Sequence, residues 1–250
     1  MFILGFALAI VIGISLGLIG SGGSILAVPT LIYVMGIDPK SAIAMSLIIV
    51  GCVSLIGMIP HWLQGKIRFK IVALFTPTAM VGAFLGSQLV RLPFITDTIQ
   101  LVTFAVMMLG ASVLMIRKGD SSTVRSITSS PKNRLWLIPL EGFGVGILTG
   151  FIGIGGGFLI IPALVLVSHL EMKEAVGSSL LMISLNSIAG FVGYLGQVKL
   201  DWFLLFGFTG FAILGVIIGS YSSRHLEGEK LQKGFGYFLI AVAVFILIRR

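Results

Sequence analysis

The sequence predicts an all-α polytopic membrane protein built from two homologous, inverted repeats, each a broken helical hairpin plus three transmembrane helices. Three observations carry that prediction. Of the 250 residues, 57% are hydrophobic and only 10% are charged, against about a quarter charged in soluble domains; the mean hydropathy is +1.12. The apolar residues form long runs that do not alternate at period two, which excludes a β-barrel and leaves helices, whose backbones satisfy their own hydrogen bonds in lipid. The chain also repeats itself, at an offset of 133 residues that carries Gly13 onto Gly146.

The elements follow from the interruptions between runs. Residues 2–19 form the first run, ended by Gly20-Ser21-Gly22-Gly23-Ser24. A short run at about 24–36 contains Pro29, where its helix is expected to end, and stops at Gly36-Ile37-Asp38-Pro39-Lys40. Longer runs occupy about 41–62, 70–90 and 98–116. The stretch 117–135 is polar, with Arg117, Lys118, Arg125, Lys132, Arg134 and a Ser/Thr cluster, and reads as a linker. The pattern then resumes at about 136–152, 157–169, 174–196, 202–223 and 231–248. The expected division is therefore 1–117, first transmembrane repeat; 118–134, cytoplasmic linker; 135–250, second transmembrane repeat. At about 20 residues per crossing, almost no length remains for a soluble domain. The first run lacks a basic flank and continues into the glycine cluster, so it reads as a membrane segment and not as a cleaved signal peptide. Cys52, the single cysteine, excludes an internal disulfide and a Cys-based metal cluster. No metal-ligand spacing or cofactor motif is present, and neither a metal nor a cofactor is expected.

The repeat extends without a gap. Gly13, Gly17, Gly20, Gly22, Gly23 and Pro29 fall on Gly146, Gly150, Gly153, Gly155, Gly156 and Pro162. The match continues through Lys40/Lys173, Ser46/Ser179, Ser54/Ser187, Gly57/Gly190, Gln64/Gln197 and Lys66/Lys199 to Gly82/Gly215, Gly86/Gly219 and Arg91/Arg224. Between 13–91 and 146–224 there are 26 identities in 79 positions. Matched Leu or Val is cheap in membrane helices; matched Gly, Pro, Gln, Lys and Arg is not. The halves are duplicates, a construction usual in secondary transporters.

Charge sets the topology. The net charge of +8 lies between the apolar stretches, as orientation signals and lipid-facing anchors, and nucleic acid is not an expected partner. If the first two segments of each half form a hairpin, Lys66, Arg68, Lys70, the five basic residues at and near the linker, Lys173, Arg224, Lys230 and Lys233 share one side, 12 in all. Lys40, Arg91, Lys199, Arg249 and Arg250 remain opposite. A pair crossing once as a broken helix would instead divide the charges 11 to 6, with parallel repeats. Residues 2–36 are too long for one crossing at about 1.5 Å per residue. The hairpin is favoured, which gives inverted repeats and a cytoplasmic linker.

Both hairpins break at glycine clusters, Gly20-Ser21-Gly22-Gly23-Ser24 and Gly153-Ile154-Gly155-Gly156-Gly157. Glycine accepts left-handed backbone and lets a ligand approach closely, and the short helix that follows starts with unpaired N–H groups at the positive end of its dipole. Two such tips near the bilayer midplane would hold an anion without a buried Arg or Lys. On this reading Gly22, Gly23, Gly155, Gly156 and Gly157 offer backbone N–H groups, and Ser21, Ser24, Ser179 and Asn186 add side-chain donors. The plainer alternative is close helix packing, and Gly13/Gly17, Gly82/Gly86, Gly146/Gly150 and Gly215/Gly219 are assigned to it.

The doubled motif, Gly17-x-x-Gly20-x-Gly22-Gly23-x(5)-Pro29 and Gly150-x-x-Gly153-x-Gly155-Gly156-Gly157-x(4)-Pro162, resembles the sulfite exporter TauE/SafE family over essentially the whole chain. Ala175-x-Gly177-Ser178-Ser179-Leu180 and Gln197-Val198-Lys199-Leu200-Asp201-Trp202 are similar to its second-half pattern. The resemblance implies a multi-pass carrier in a prokaryotic cell (inner) membrane, moving a small sulfur-containing anion such as sulfite or an organosulfonate, with a proton or sodium ion as candidate coupling ion. Ser24 stands in the first cluster where the second has Gly157, and Asn186 has Val53 as its counterpart, so the half-sites differ chemically.

Among other polar residues, Ser46, Ser178, Ser179, Asn186 and Ser187 lie on the third and eighth segments, where hydroxyl and amide donors suit sulfonate oxygens; helix-to-helix hydrogen bonds, worth about 0.6 kcal/mol in membranes, are the alternative. Gln64/Gln197 and Arg91/Arg224 end segments, as interfacial or snorkelling groups do. Glu141 is the one acid inside a long apolar run, about five residues from its start, opposite Leu8 in the repeat; it suits an interfacial position or proton coupling. Gly13-Ile14-Ser15-Leu16-Gly17 matches the G-x-S-x-G of hydrolases, but lacks the strand–turn–helix elbow and has Leu148 opposite Ser15, so no enzyme and no catalytic residue is expected. The readings beside a carrier are an anion channel using the same tips and a non-transporting membrane scaffold.

Overall fold

A computed structural model describes residues 2–89, 97–120, 137–152, 157–192 and 200–248. Every regular element among the described residues is helical: α1 (Phe2–Ile19), α2 (Gly22–Pro29), continued by one π-helical turn (Thr30–Val34), α3 (Pro39–Leu63), α4 (Phe69–Leu89), α5 (Asp97–Asp120), α6 (Leu137–Ile152), α7 (Gly157–Leu166), α8 (Met172–Val192), α9 (Trp202–His225) and α10 (Gly228–Ile248). By length and composition α3, α8, α9 and residues Phe69–Gly86 of α4 can each cross a membrane. Most of the expected linker lies outside the described residues, and α5 reaches Asp120, past the expected boundary at 117.

Local chemistry explains the starts. Asp38 caps α3, its carboxylate accepting from the Lys40 and Ser41 N–H groups at 3.1 and 3.3 Å, with Pro39 at the first helical position, where its missing N–H costs nothing. Asp201 caps α9 by accepting from Leu204 N–H at 3.1 Å. The short helix α2 ends at Pro29 as expected, although a π turn continues it, whereas Pro162 sits inside α7 and corrects the expectation that the second short helix ends there. Wide-turn bonds absorb the ring instead of terminating the helix. They recur at equivalent places, Met35 N–H to Thr30 O at 3.2 Å with Ile37 N–H to Leu31 O at 3.1 Å, and Ser168 N–H to Ala163 O at 3.2 Å with Leu170 N–H to Leu164 O at 3.0 Å.

The helices form two compact units, residues 1–68 with 173–226, and residues 69–172 with 227–250. Each therefore contains helices from both repeats. In the first, α1 runs parallel to α9 at backbone contact. A Cβ on Gly13 would overlap the Ala212 carbonyl, and one on Gly17 the Val216 carbonyl; Gly215 and Gly219 lie in the same way against Ile10 and Ile14. Phe6 stacks on Phe211 along this seam, with ring centroids 4.9 Å apart. In the second unit α4 and α6 repeat the arrangement. Gly146 and Gly150 face the Ala79 and Ala83 carbonyls, while Gly82 and Gly86 face those of Phe143 and Ile147. These are the glycines assigned to packing from sequence. Each pair joins a helix of one repeat to a helix of the other.

Elsewhere in the first unit α3 runs antiparallel to α8. Leu47 lies against Gly190, Gly51 against Ser187, Gly57 against Leu180 and His61 against Gly177. In the second, Gln232 Nε2 donates to Met115 O at 2.9 Å, joining α10 to α5. Phe104 of α5 meets Phe158 of α7 edge-on at 4.9 Å, and residues 157–165 of α7 are buried.

The glycine seams give a paired test on one helix. Gly146→Ala forces a methyl into the α4 backbone, an overpacking cost of about 1–3 kcal/mol, and should lower the melting temperature of detergent-solubilised protein. Gly144→Ala, where no atom stands within 4 Å, should leave it unchanged or raise it, since Ala favours helix over Gly by up to about 1 kcal/mol.

Candidate functional site

The first hairpin tip is built on Gly20. Its N–H closes α1 on Leu16 O at 2.7 Å, and its φ of +83° turns the chain where a side chain would be strained. Ser21 follows as N-cap residue, and α2 starts at Gly22. Ser21, Gly22 and Gly23 are all buried. The Ser21 side chain makes no capping bond to the helix, so the first-turn N–H groups and the positive dipole end lie inside the protein without an N-cap acceptor. Gly23 has a second role: a Cβ there would overlap Ile12 O and reach within 2.5 Å of Leu16 Cγ, so it also lets α2 lie flat on α1. At the other end Met35 packs its sulfur on Gly5. Residues 5 and 35 thus share one end, and the segment pair is a hairpin.

The second hairpin is α6 and α7. Gly155 and Gly156 lie outside the described residues; Gly157 is buried as the first residue of α7. The hairpin closes at its far end where the Ser168 hydroxyl donates to Glu141 Oε2 at 2.6 Å. Ser168 is the repeat counterpart of Met35, so the position that closes each hairpin from its second arm is the same in both. Ser24 lies in the first turn of α2.

Ser179 and Asn186 belong to α8, in the same unit as the first tip. Ser179 is fully buried and its hydroxyl donates to Val176 O at 2.9 Å, three residues back in its own helix. Its counterpart Ser46 does the same to Ile43 O at 2.7 Å. Asn186 is half-buried, and its Oδ1 is buried without a hydrogen-bond partner. Ser54 of α3, fully buried, has an equally unpartnered Oγ. Ser178 instead accepts from the Arg68 N–H at 3.0 Å.

That last contact belongs to a polar face that sequence reading did not assemble. Arg68 Nη2 pairs with Glu174 Oε1 at 2.6 Å, and Lys173 Nζ donates to Arg224 O at 3.0 Å. The α3–α4 turn, the start of α8 and the end of α9 therefore lie on one side. A chain whose first two segments crossed once would put Arg68 and Glu174 on opposite sides. The signal was available in the charge division, which also puts Arg68, Lys173 and Arg224 together, but not in the identity of the partners. Ser15 lies mid-helix in α1, far from the elbow geometry of a hydrolase nucleophile.

Long apolar helices, a duplicated hairpin with buried helix starts and a charged face define a polytopic membrane transporter. The profile described as "Sulfite exporter TauE/SafE" matches residues 5–246, and the chain belongs to that family. It is 33% identical over 245 residues to a "Probable membrane transporter protein" of Xylella fastidiosa, covering 95% of this chain and 92% of that one. It is 29% identical over 211 residues to the "Probable membrane transporter protein YdhB" of Bacillus subtilis, with 84% of each chain covered. A further "Probable membrane transporter protein" of Haemophilus influenzae is 26% identical over 262 residues, with 95% of this chain and 94% of that one covered. No solved structure matches the chain.

The shared face predicts labelling. In a Cys52→Ser background, cysteines placed at exposed Gln64 and Arg224 should react with an impermeant maleimide from the same side of the membrane, and one at exposed Asp38 from the other, as read by mass shift in right-side-out vesicles.

Proposed function

We propose that this membrane transporter is a secondary carrier of a small sulfur-containing anion, such as sulfite or an organosulfonate. It works by alternating access, with the anion held at the paired half-helix starts of α2 and α7. The observation that carries the reading is the buried start of α2, with no capping side chain and with Gly22 at its first position. The anion accepts from the N–H groups of Gly22, Gly23, Gly155, Gly156 and Gly157, while Ser21, Ser24, Ser179 and Asn186 supply further donors. A helix start binds an anion through dipole and N–H groups together and requires no cationic side chain.

The repeats are inverted in this reading. Equivalent helices α3 and α8 lie antiparallel, with Leu47 on Gly190 and its counterpart Leu180 on Gly57, the reciprocal contacts of a two-fold axis lying in the membrane plane. Such repeats place the substrate at their interface and exchange its access between the two sides. The basic linker then lies in the cytoplasm.

Counterflow in proteoliposomes tests the proposal. Labelled sulfite outside should enter faster when unlabelled sulfite or thiosulfate is trapped inside, and Gly22→Leu should lower that rate at least about ten-fold, a loss of roughly 1.4 kcal/mol or more in transition-state binding, while remaining monodisperse. Single-channel currents without counterflow would make the protein a channel; neither signal with any sulfur anion would overturn the substrate assignment.

A further inference from the structure

The second hairpin keeps the backbone of the first at its closed end but changes three side chains. Leu8, Met35 and Gly36 of the first correspond to Glu141, Ser168 and His169 of the second. The wide-turn hydrogen bonds are the same in both. Gly36 takes the left-handed turn at φ +72°, whereas His169 holds φ +53° with a side chain attached, a conformation that non-glycine residues disfavour and that clusters at working sites. An apolar closure has become a polar and strained one.

Glu141 stands on the second turn of α6. Ser168 donates to its Oε2 at 2.6 Å, and its Oε1 is buried with no hydrogen-bond partner. Among the described residues no cation pairs with it. The rest of α6 carries no titratable group, and α7 carries none; the turn after α7 brings His169 and Glu171. On α4 the one charge is Lys70, while Gly142, next to Glu141, packs on Phe75 and Thr78. On α5 the charges are terminal, Asp97 at the start and Arg117, Lys118 and Asp120 at the end. An ionised carboxylate with one hydroxyl donor is poorly solvated here, and a protonated one is not. Protonation also reverses the hydrogen bond, because the carboxyl O–H can donate to Ser168 Oγ.

We propose that Glu141 is the proton site of the carrier, taking up one proton with the anion and releasing it after access has switched to the other side, with Ser168 as the partner that reads its state. This rests on the carrier reading above. The charge balance fixes the direction: moving the anion together with an ionised Glu141 would carry two negative charges through a low-dielectric path, and a proton on Glu141 removes one of them.

Two readouts test it. Infrared titration of the protein in liposomes should show a carboxylic C=O band that grows as pH falls, is missing in Glu141→Gln, and shifts its midpoint in Ser168→Ala; this requires no knowledge of the anion. In transport, an outside-acid gradient should accelerate wild-type uptake of labelled thiosulfate several-fold, whereas Glu141→Gln should keep counterflow and lose the response to the gradient. A Glu141→Gln protein that responds to the gradient like wild type, or a wild-type infrared titration unchanged by the substitution, overturns the proton site. Absence of wild-type counterflow with both sulfite and thiosulfate overturns the substrate reading instead, and the infrared result still decides Glu141.

Discussion

Direct backbone contact at eight glycines is the constraint on which the rest of the structure depends. Lipid tails are as apolar as leucine, so helices in a membrane gain nothing from burying apolar surface against each other. What holds them is dispersion at short range, and that grows when two backbones touch without intervening side chains. Gly13 and Gly17 with Gly215 and Gly219, and Gly82 and Gly86 with Gly146 and Gly150, provide two such seams. Any larger residue at these positions separates the helices and removes the contact from its neighbours as well.

The seams also decide what is joined to what. Each glycine pair in a helix meets the pair in a non-equivalent helix of the other repeat, α1 with α9 and α6 with α4. Neither half of the sequence can complete its own packing, although each is a full copy of the other. The compact units accordingly cut across the duplication, with residues 1–68 joined to 173–226 and 69–172 joined to 227–250. Duplication followed by exchange of packing partners makes the two halves dependent on each other.

Much of this was legible from residue types. Long apolar runs gave the helices, the 133-residue offset gave the duplication, and the four-residue glycine spacing marked the packing faces. Asp38-Pro39 marked the start of α3 through capping chemistry that is local to the chain. What the sequence left open depends on tertiary partners. Glycine spacing does not say which helix it faces; both α1 and α6 carry it, and so do α4 and α9. Pro29 and Pro162 look like stops because their missing N–H breaks the α pattern, yet the π turn and the wide-turn bonds carry the chain past them. Gly23 reads as part of a ligand-binding cluster, and it is also the residue whose missing side chain lets α2 lie on α1. Arg68 and Glu174 are 106 positions apart, and nothing in either segment announces the other.

Comparison of equivalent positions separates scaffold from specialisation more sharply than burial does. Ser46 and Ser179 are both buried, identical between halves, and donate to carbonyls of their own helices, so this part of the framework keeps the symmetry. Asn186 opposite Val53, Glu141 opposite Leu8, Ser168 opposite Met35 and His169 opposite Gly36 break the symmetry, and each break puts a polar or strained group where the other half is apolar or relaxed. Such changes lower stability in a membrane interior, since every added polar atom must find a partner or remain unsatisfied. Symmetric packing tolerates them only where the surrounding backbone is already fixed, as the conserved wide turns fix the hairpin closures. At these four positions the second half holds polar or strained groups where the first half holds the apolar or relaxed version of the same geometry.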